Sequence, residues 1–312
     1  MTQQLSIFVR WALYVDLMLL FGLPLFAMLG AAREYRPRLR LARSQRVLTG
    51  LACVGLILSL AGFALLTASM AGVEIPAINR DSVMLVLTQT AAGTAWIVRM
   101  LVLGIVLLLT FRLKRKSGHA LFAILAGSAA VALGSLAWGG HAAAGEGSAG
   151  TIQLVADIVH LLAAGVWIGA LAGLSAMVLT PQARATGQHI AAMHDSLRRF
   201  SLTGSIVVAL LVTTGLVNSW MLIGLGQVGH LPDSLYGQLM IGKLALFGMM
   251  LCQAAVNRFA LTPRLARTMA TDGLAGALAN LRRSLALEAA SALAVLALVA
   301  WLGTLEPPIA TG

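Results

Sequence analysis

Apolar stretches separated by short polar segments follow one another along the whole chain. A helix that crosses a bilayer needs about 20 mainly apolar residues, and eight stretches are close to or above that length. They predict spans near residues 8–31, 47–71, 83–110, 120–138, 152–180, 201–223, 236–259 and 284–305. The third and fifth stretches exceed the bilayer thickness, so these helices should tilt or protrude. The pattern predicts an all-α, polytopic membrane protein whose residues 1–312 form a single membrane domain.

Basic residues alternate from one side of these spans to the other. Loops 32–46, 111–119, 181–200 and 258–283 together carry 18 Lys and Arg residues, whereas the intervening loops carry only Arg80. Short loops rich in Lys and Arg remain on the cytoplasmic side of a membrane. With eight spans, this asymmetry predicts that both termini are periplasmic, an N-out and C-out topology.

Composition agrees with a chain that has lipid as its main solvent. Hydrophobic residues make up 59% of it and charged residues 11%, whereas a soluble domain carries about 25% charged residues. The formal net charge of +11 would suggest nucleic-acid binding in a soluble protein. Here the basic residues lie in the short loops that set topology, so nucleic acid is not an expected partner. No Walker motif occurs, and we expect neither ATP-driven transport nor an enzymatic activity.

A weak internal repeat connects the two halves of the chain. Three residues of the third stretch recur in the seventh at an offset of 144 residues: Gly93, Arg99 and Gly104 correspond to Gly237, Lys243 and Gly248. The same offset relates Asp16 to His160. It favours a parallel arrangement of two four-helix halves, with a site near their interface. Chance matches between apolar sequences remain the alternative.

Several ionisable side chains lie within or near the apolar spans, where a charge costs about 2.5–3.5 kcal/mol on insertion scales. They are Arg10, Asp16, Arg99, Asp157, His160 and Lys243. Each marks either a functional site or an internal ion pair that only fixes helix packing. By contrast, we interpret Glu288 as an interfacial anchor near Arg282 and Arg283, and His189 as a solvated residue on the inner side.

Two histidines suggest a metal site at the outer face. Asp157 and His160 are three residues apart and share a helix face that continues to Trp167, so the carboxylate could orient the imidazole. His141 follows the fourth span within a run of small residues that would let the loop fold back towards His160. Imidazole suits copper, zinc, iron and nickel. Helix packing or a proton relay would explain the Asp157 and His160 pair equally well.

Other side chains could complete such a site. Met70 and Met221 fall near outer ends of spans, and a thioether beside an imidazole selects Cu(I). His230 lies in an outer loop, where a surface role competes with a ligand role. Asn218, within the sixth span, needs a hydrogen-bond partner in lipid, and this partner is either the site or a neighbouring helix.

Several motifs, strongest from about residue 118 onward, resemble those of the CopD family of bacterial copper-resistance membrane proteins. They are the runs 140–144 and 157–169, Arg198 to Ser201, Thr214 to Asn218, Tyr236 to Phe247, Asn257 to Phe259, Leu281 to Glu288 and Gly303 to Pro308. The resemblance extends over nearly the whole chain. Helix 1 departs from it, because a histidine expected near Tyr14 or Asp16 is missing.

The resemblance implies an eight-span inner-membrane protein that handles copper together with a periplasmic CopC-like carrier. It implies copper passage from the periplasm toward the cytoplasm, with His141 and His160 as the best candidates for copper ligands. The copper ion could be Cu(I) or Cu(II). The charges of Arg99 and Lys243 would repel copper unless Asp16, Asp157 or an accompanying anion neutralises them.

Two other classes of function remain open at this point. The protein could be a membrane redox protein that holds b-type haem or copper between its helices, since histidine is the usual axial ligand. Against haem, only His160 lies clearly within a predicted span. It could also be a membrane partner of the periplasmic copper carrier that transports nothing.

Overall fold

A computed structural model describes residues 2–29, 41–112, 119–139, 147–179, 187–268 and 273–306, and all regular structure in these ranges is helical. The α-helices are α1 (Thr2–Leu29), α2 (Leu41–Ala71), α3 (Arg80–Gln89), α4 (Ala91–Arg112), α5 (His119–Gly134), α6 (Gly147–Val178), α7 (Gly187–Ile223), α8 (Leu235–Val256), α9 (Thr262–Thr268) and α10 (Leu274–Leu302). Shorter helical turns cover Ile75–Ala77, Ser135–Gly139, Leu225–Asp233 and, as a π-helix, Asn257–Leu261.

Eight segments in the described ranges are long and apolar enough to cross a membrane, as the sequence predicts. They are α1, α2, α4, α5 with its following turn, α6, α7, α8 together with α9, and α10. We call the end of the bundle that holds Thr2, Gly147 and Leu235 the outer end, because the charge pattern predicts it to be periplasmic. The opposite end is called the inner end.

The third apolar stretch, predicted as one helix over 83–110, is divided at Thr90. Thr90 has an extended backbone (φ −124°, ψ 145°) and separates α3 from α4. Its hydroxyl oxygen accepts the backbone N–H of Gly93 at 2.9 Å, which caps α4 in the manner typical of threonine. Hydrophobicity continues through this break, so the apolar pattern alone does not reveal it.

The local structure at the start of α4 recurs at the start of α8. The Ser234 hydroxyl accepts the N–H of Gly237 at 3.1 Å, as the Thr90 hydroxyl accepts that of Gly93. A Cβ atom at Gly93 would clash with the Val86 carbonyl oxygen, and one at Gly237 with the carbonyl oxygen of Leu231. In both places a preceding segment folds onto a glycine, at positions 144 residues apart. This recurrence supports the two related halves that the sequence suggests.

The halves are joined where α1 crosses α6. A Cβ atom on Gly22 would clash with the Gly165 carbonyl oxygen, and one on Gly169 would clash with the Gly22 backbone. Small residues allow such close approach of helices in membranes. Helix α1 also packs on α2, α5 and α10, so it connects the buried cluster of the first half to the second half.

The halves differ in how their second and third spans meet. Helix α2 packs along α4, whereas α7 meets the third span of its half mainly through the segments that flank α8, namely Leu225–Asp233, Asn257–Leu261 and α9. A cavity of about 360 Å³ occupies the inner part of the resulting gap between α7 and α8. The second half therefore combines ionisable side chains with space around them.

Candidate copper site

His160 projects from α6 toward α7, where its imidazole meets a threonine. The Nδ1 atom lies 2.9 Å from the Thr214 hydroxyl oxygen, and this hydroxyl donates its own proton to the Leu210 carbonyl at 2.6 Å. The tautomer that satisfies both Thr214 contacts carries the imidazole proton on Nδ1 and donates it to Thr214. The Nε2 atom then keeps a free lone pair, which is the state that binds metal ions.

The position of His160 along α6 places this lone pair well inside the bundle. Helix α6 begins at Gly147, thirteen residues before His160, which corresponds to about 20 Å at 1.5 Å per residue. The ring lies beside Gly215 of α7, where a Cβ atom would be 3.6 Å from the imidazole Cε1 atom. His160 is thus a recessed imidazole rather than a surface one.

Asp157 lies one turn closer to the outer end but does not hold the imidazole. Its Oδ1 atom accepts a hydrogen bond from Asn218 Nδ2 at 3.3 Å. It also interacts electrostatically with Lys243 of α8, and Lys243 in turn acts on His160. Asp157 therefore offsets the Lys243 charge, while Thr214 orients His160. We use the name outer cluster for Asp157, His160, Thr214, Asn218 and Lys243.

Trp167 continues the same face of α6 but reaches a different group. Its Nε1–H donates to Glu288 Oε1 of α10 at 2.9 Å, and Asn257 Nδ2 donates to Glu288 Oε2 at 2.8 Å. Glu288 is only 5% exposed. The interpretation of Glu288 as an interfacial anchor is therefore wrong, because an anchoring carboxylate would reach water at the membrane surface. Its burial follows from these two donors.

In the first half, Asp16 and Arg99 occupy positions related by the repeat to His160 and Lys243. Asp16 is 4% exposed, and neither carboxylate oxygen has a hydrogen-bond partner within the described ranges. Arg99 interacts electrostatically with Tyr14. An outer cavity of about 660 Å³ is lined by Arg10, Tyr14 and Arg99. Asp16, one of the groups that could neutralise Arg99, forms no ion pair with it in the described ranges.

The remaining candidates are distributed over the outer surface. His141 lies outside the described residues. Met70 is 53% exposed near the end of α2, in the other half from His160, and Met221 is partly buried near the end of α7. His230 is exposed and bonds Asp233 Oδ2 through Nδ1 at 3.3 Å. These contacts leave His160 as the metal-ligand candidate that the described structure positions best.

Histidine and acidic side chains do not gather in threes anywhere in the described ranges. The sequence also missed His189, which is buried rather than solvated and bonds the Met177 carbonyl through Nε2 at 3.0 Å. It assigned no role to Thr214. A hydroxyl beside Gly215 in an otherwise apolar helix was the one available signal for that contact.

Comparison with known proteins identifies the family. Residues 1–151 match the family described as copper resistance protein D-like, N-terminal domain, and residues 194–302 match the family described as copper resistance protein D. The chain is also 39% identical to copper resistance protein D of Pseudomonas syringae pv. tomato over 315 aligned residues, which cover both proteins completely. The chain belongs to the copper resistance protein D family.

Two further relatives resemble the chain at lower identity. The copper transport protein CutJ of Bacillus subtilis is 29% identical over 72% of this chain and 41% of its own length. The inner membrane protein YebZ of Escherichia coli is 27% identical over 96% of this chain and 97% of its own length. No solved structure matches the chain. Family membership and eight apolar helices together indicate a multi-pass membrane protein of the copper resistance type.

Proposed function

We propose that this protein accepts copper ions at the outer end of the bundle and carries them across the bacterial inner membrane toward the cytoplasm. The names of the Pseudomonas and Bacillus relatives, for copper resistance and copper transport, support this proposal. So does the excess of basic residues in loops at the inner end, from which both termini are inferred to be periplasmic. Residues 1–312 would act as one membrane domain, with copper as the substrate.

The observation that carries the proposal is the hydrogen bond between His160 and Thr214. In the tautomer that satisfies both Thr214 contacts, Nδ1 carries the proton and Nε2 is free to bind an ion. Histidines that bind metals commonly donate their second ring N–H in this way, and the donation makes the ligating nitrogen a better donor. A neutral imidazole nitrogen suits both Cu(I) and Cu(II), so this ligand fits either oxidation state.

His141 would bind copper nearer the entrance. A Cβ atom at Gly134 would lie 3.4 Å from the side chain of Ile158, so these residues share a level close to His160. The turn from Ser135 to Gly139 continues outward for about 10 Å at roughly 2 Å per residue. Gly139 is the last residue of this turn, and His141 follows two residues later in the sequence. A CopC-like carrier would deliver copper to this entrance.

The cationic side chains Lys243, Arg10 and Arg99 would not block the path of copper. Lys243 acts on His160, but the Asp157 carboxylate opposes its charge from the same cluster. Arg10 and Arg99 line the outer cavity in the first half, away from α7. Copper would pass through the second half, where α7 and α8 leave a gap.

The haem alternative gains no support from the described histidines. A bis-histidine haem needs two axial imidazoles that face each other. The other buried histidine in the described ranges, His189, bonds the Met177 carbonyl at the inner end of α6, far along that helix from His160. We therefore retain copper as the proposed substrate.

Transport can be tested in vesicles that contain the purified protein and a trapped copper-sensitive dye. Copper added outside should reach the dye with the unaltered protein and with His230→Ala, because His230 pairs with Asp233 on the surface. His160→Ala should reduce the rate of copper entry to that of vesicles without protein. Equal rates for His160→Ala and the unaltered protein would overturn the proposal.

A further inference from the structure

Glu288 forms the centre of a second polar group, about two turns of α6 closer to the inner end than His160. Its carboxylate accepts hydrogen bonds from the Trp167 indole at 2.9 Å and from the Asn257 amide at 2.8 Å. Glu288 is 5% exposed and Asn257 7% exposed. Carboxylates buried within membrane spans are costly, and they commonly mark ion pathways or proton relays. Glu288 and its two donors are not part of the outer cluster.

The Asn257 side chain can serve both protonation states of Glu288. With Glu288 ionised, Asn257 Nδ2 donates to Oε2, and Asn257 Oδ1 has no hydrogen-bond partner in the described ranges. If Oε2 binds a proton, the amide can turn over, so that Oδ1 accepts the new O–H. The Trp167 N–H continues to donate to Oε1 in either state. Both states of the carboxyl group are therefore satisfied by the same two neighbours.

The backbone that carries the Asn257 side chain departs from a regular α-helix. Asn257 begins the π-helical turn Asn257–Leu261, and its carbonyl accepts the Thr262 hydroxyl at 2.8 Å. Single π-helical turns within α-helices occur frequently at functional sites. Here the turn joins α8 to α9 at the level of Glu288.

Water can reach the group through the cavity of about 360 Å³ between α7 and α8, which Trp167, Asn257 and Glu288 all line. Arg258 is the other charged side chain among the described residues of this lining. It is held away from Glu288, because its guanidinium donates to the Ser205 hydroxyl and lies 5.1 Å from the centre of the Phe259 ring. From α6, α7, α8 and α9, no other titratable side chain among those described faces the cavity.

We propose that Glu288 is a proton-binding site that exchanges one proton between its carboxylate and the water of the inner cavity. The available donor atoms are carboxylate, amide and hydroxyl oxygens, which suit a proton or a hard cation better than a soft copper ion. The proposal rests on the proposed function in one respect: that this proton moves when copper does. Binding and release involve no change of oxidation state, since the proton passes from water to Oε2 and back.

Infrared difference spectra of the purified protein, recorded as the pH is lowered, test the proton site without copper. The carbonyl band of a protonated carboxyl group should grow on acidification. One component of it should be lost in Glu288→Gln and kept in Glu74→Gln, which replaces an exposed loop carboxylate. Trp167→Phe should move the band to higher frequency, because the indole N–H no longer bonds Oε1. A band unchanged in Glu288→Gln, or one suppressed by sodium at constant pH, would overturn the proposal.

Copper-driven proton movement tests the coupling. Vesicles that carry a pH-sensitive dye should report proton movement on copper addition with the unaltered protein and with Glu74→Gln, but not with Glu288→Gln. Glu288→Gln should still bind copper as the unaltered protein does. Proton movement that persists in Glu288→Gln would overturn the coupling. If His160→Ala keeps its copper and its transport, the proposed function fails, while the infrared result still decides the proton site.

Discussion

The Nδ1 atom of His160 lies 2.9 Å from the hydroxyl oxygen of Thr214 on the neighbouring helix α7. This contact orients one recessed imidazole, and no carboxylate bonds it in the described structure. The threonine hydroxyl has a single proton, and the Leu210 carbonyl takes it. In the tautomer that satisfies both contacts, Nδ1 carries the proton and Nε2 does not.

Removal of the Thr214 hydroxyl should weaken copper binding while leaving His160 in place. Loss of such a supporting contact typically lowers metal affinity by about 10–100-fold. Thr214→Val should show this loss, and Thr214→Ser, which keeps a hydroxyl, should bind nearly as tightly as the unaltered protein. Competition against a chelator of known copper affinity measures both. Equal affinities for Thr214→Val and Thr214→Ser would show that the hydroxyl does not orient the imidazole.

The electrostatic interaction of Asp157 with Lys243 should make these two residues interdependent. Asp157→Asn and Lys243→Met should each lower the thermal unfolding temperature, because each leaves one charge unbalanced inside the bundle. The double variant should lose less free energy of unfolding than the sum of the losses in the two single variants. The difference should be about 0.5–3 kcal/mol. Thermal unfolding in detergent measures the stability of the unaltered protein, the two single variants and the double variant. Simple additivity would mean that the two charges act separately.

The close crossing of α1 and α6 should tolerate no side chain at Gly169. A Cβ atom there would clash with the Gly22 backbone, and such overpacking typically costs about 1–3 kcal/mol. Gly104→Ala is the matched control, since Gly104 is also within a helix but has open space around it. Gly169→Ala should unfold at a lower temperature than the unaltered protein, and Gly104→Ala should not. Similar unfolding temperatures for Gly169→Ala and Gly104→Ala would show that α1 and α6 do not pack closely at Gly169.

The charge pattern predicts that residues near His230 face the periplasm and those near Arg264 face the cytoplasm. Both side chains are exposed, so cysteines placed there should react with thiol reagents. In a background where Cys53 and Cys252 are replaced by serine, a membrane-impermeant reagent added to intact cells should label His230→Cys only. Arg264→Cys should react once the membrane is opened. The reverse labelling pattern would invert the topology.

The apolar pattern could predict the number of spans because lipid imposes one length on all of them. It could not predict the break at Thr90, since this residue interrupts a helix without interrupting hydrophobicity. The break depends on a hydrogen bond from the Gly93 N–H to the Thr90 hydroxyl oxygen. Such a cap is decided by local backbone geometry that hydropathy does not record.

The sequence nominates His160 as a candidate ligand, and the structure adds contacts that the sequence does not predict. Spacing along α6 correctly places Asp157 and His160 on one side of the helix, but their partners come from α7 and α8. Thr214 is 54 residues from His160 in the sequence, and nothing in the spacing connects them. For Glu288, proximity to Arg282 and Arg283 in sequence suggested the surface, whereas the Trp167 and Asn257 donors place it inside.

The ligand role of His160 is tested most directly by X-ray absorption spectra of the copper-loaded protein. An imidazole bound through nitrogen adds characteristic scattering from its outer ring atoms. This scattering should fall in His160→Ala and stay unchanged in His230→Ala, whose imidazole bonds Asp233 instead. A copper spectrum that is the same in His160→Ala and in the unaltered protein would contradict the assignment of His160 as a copper ligand.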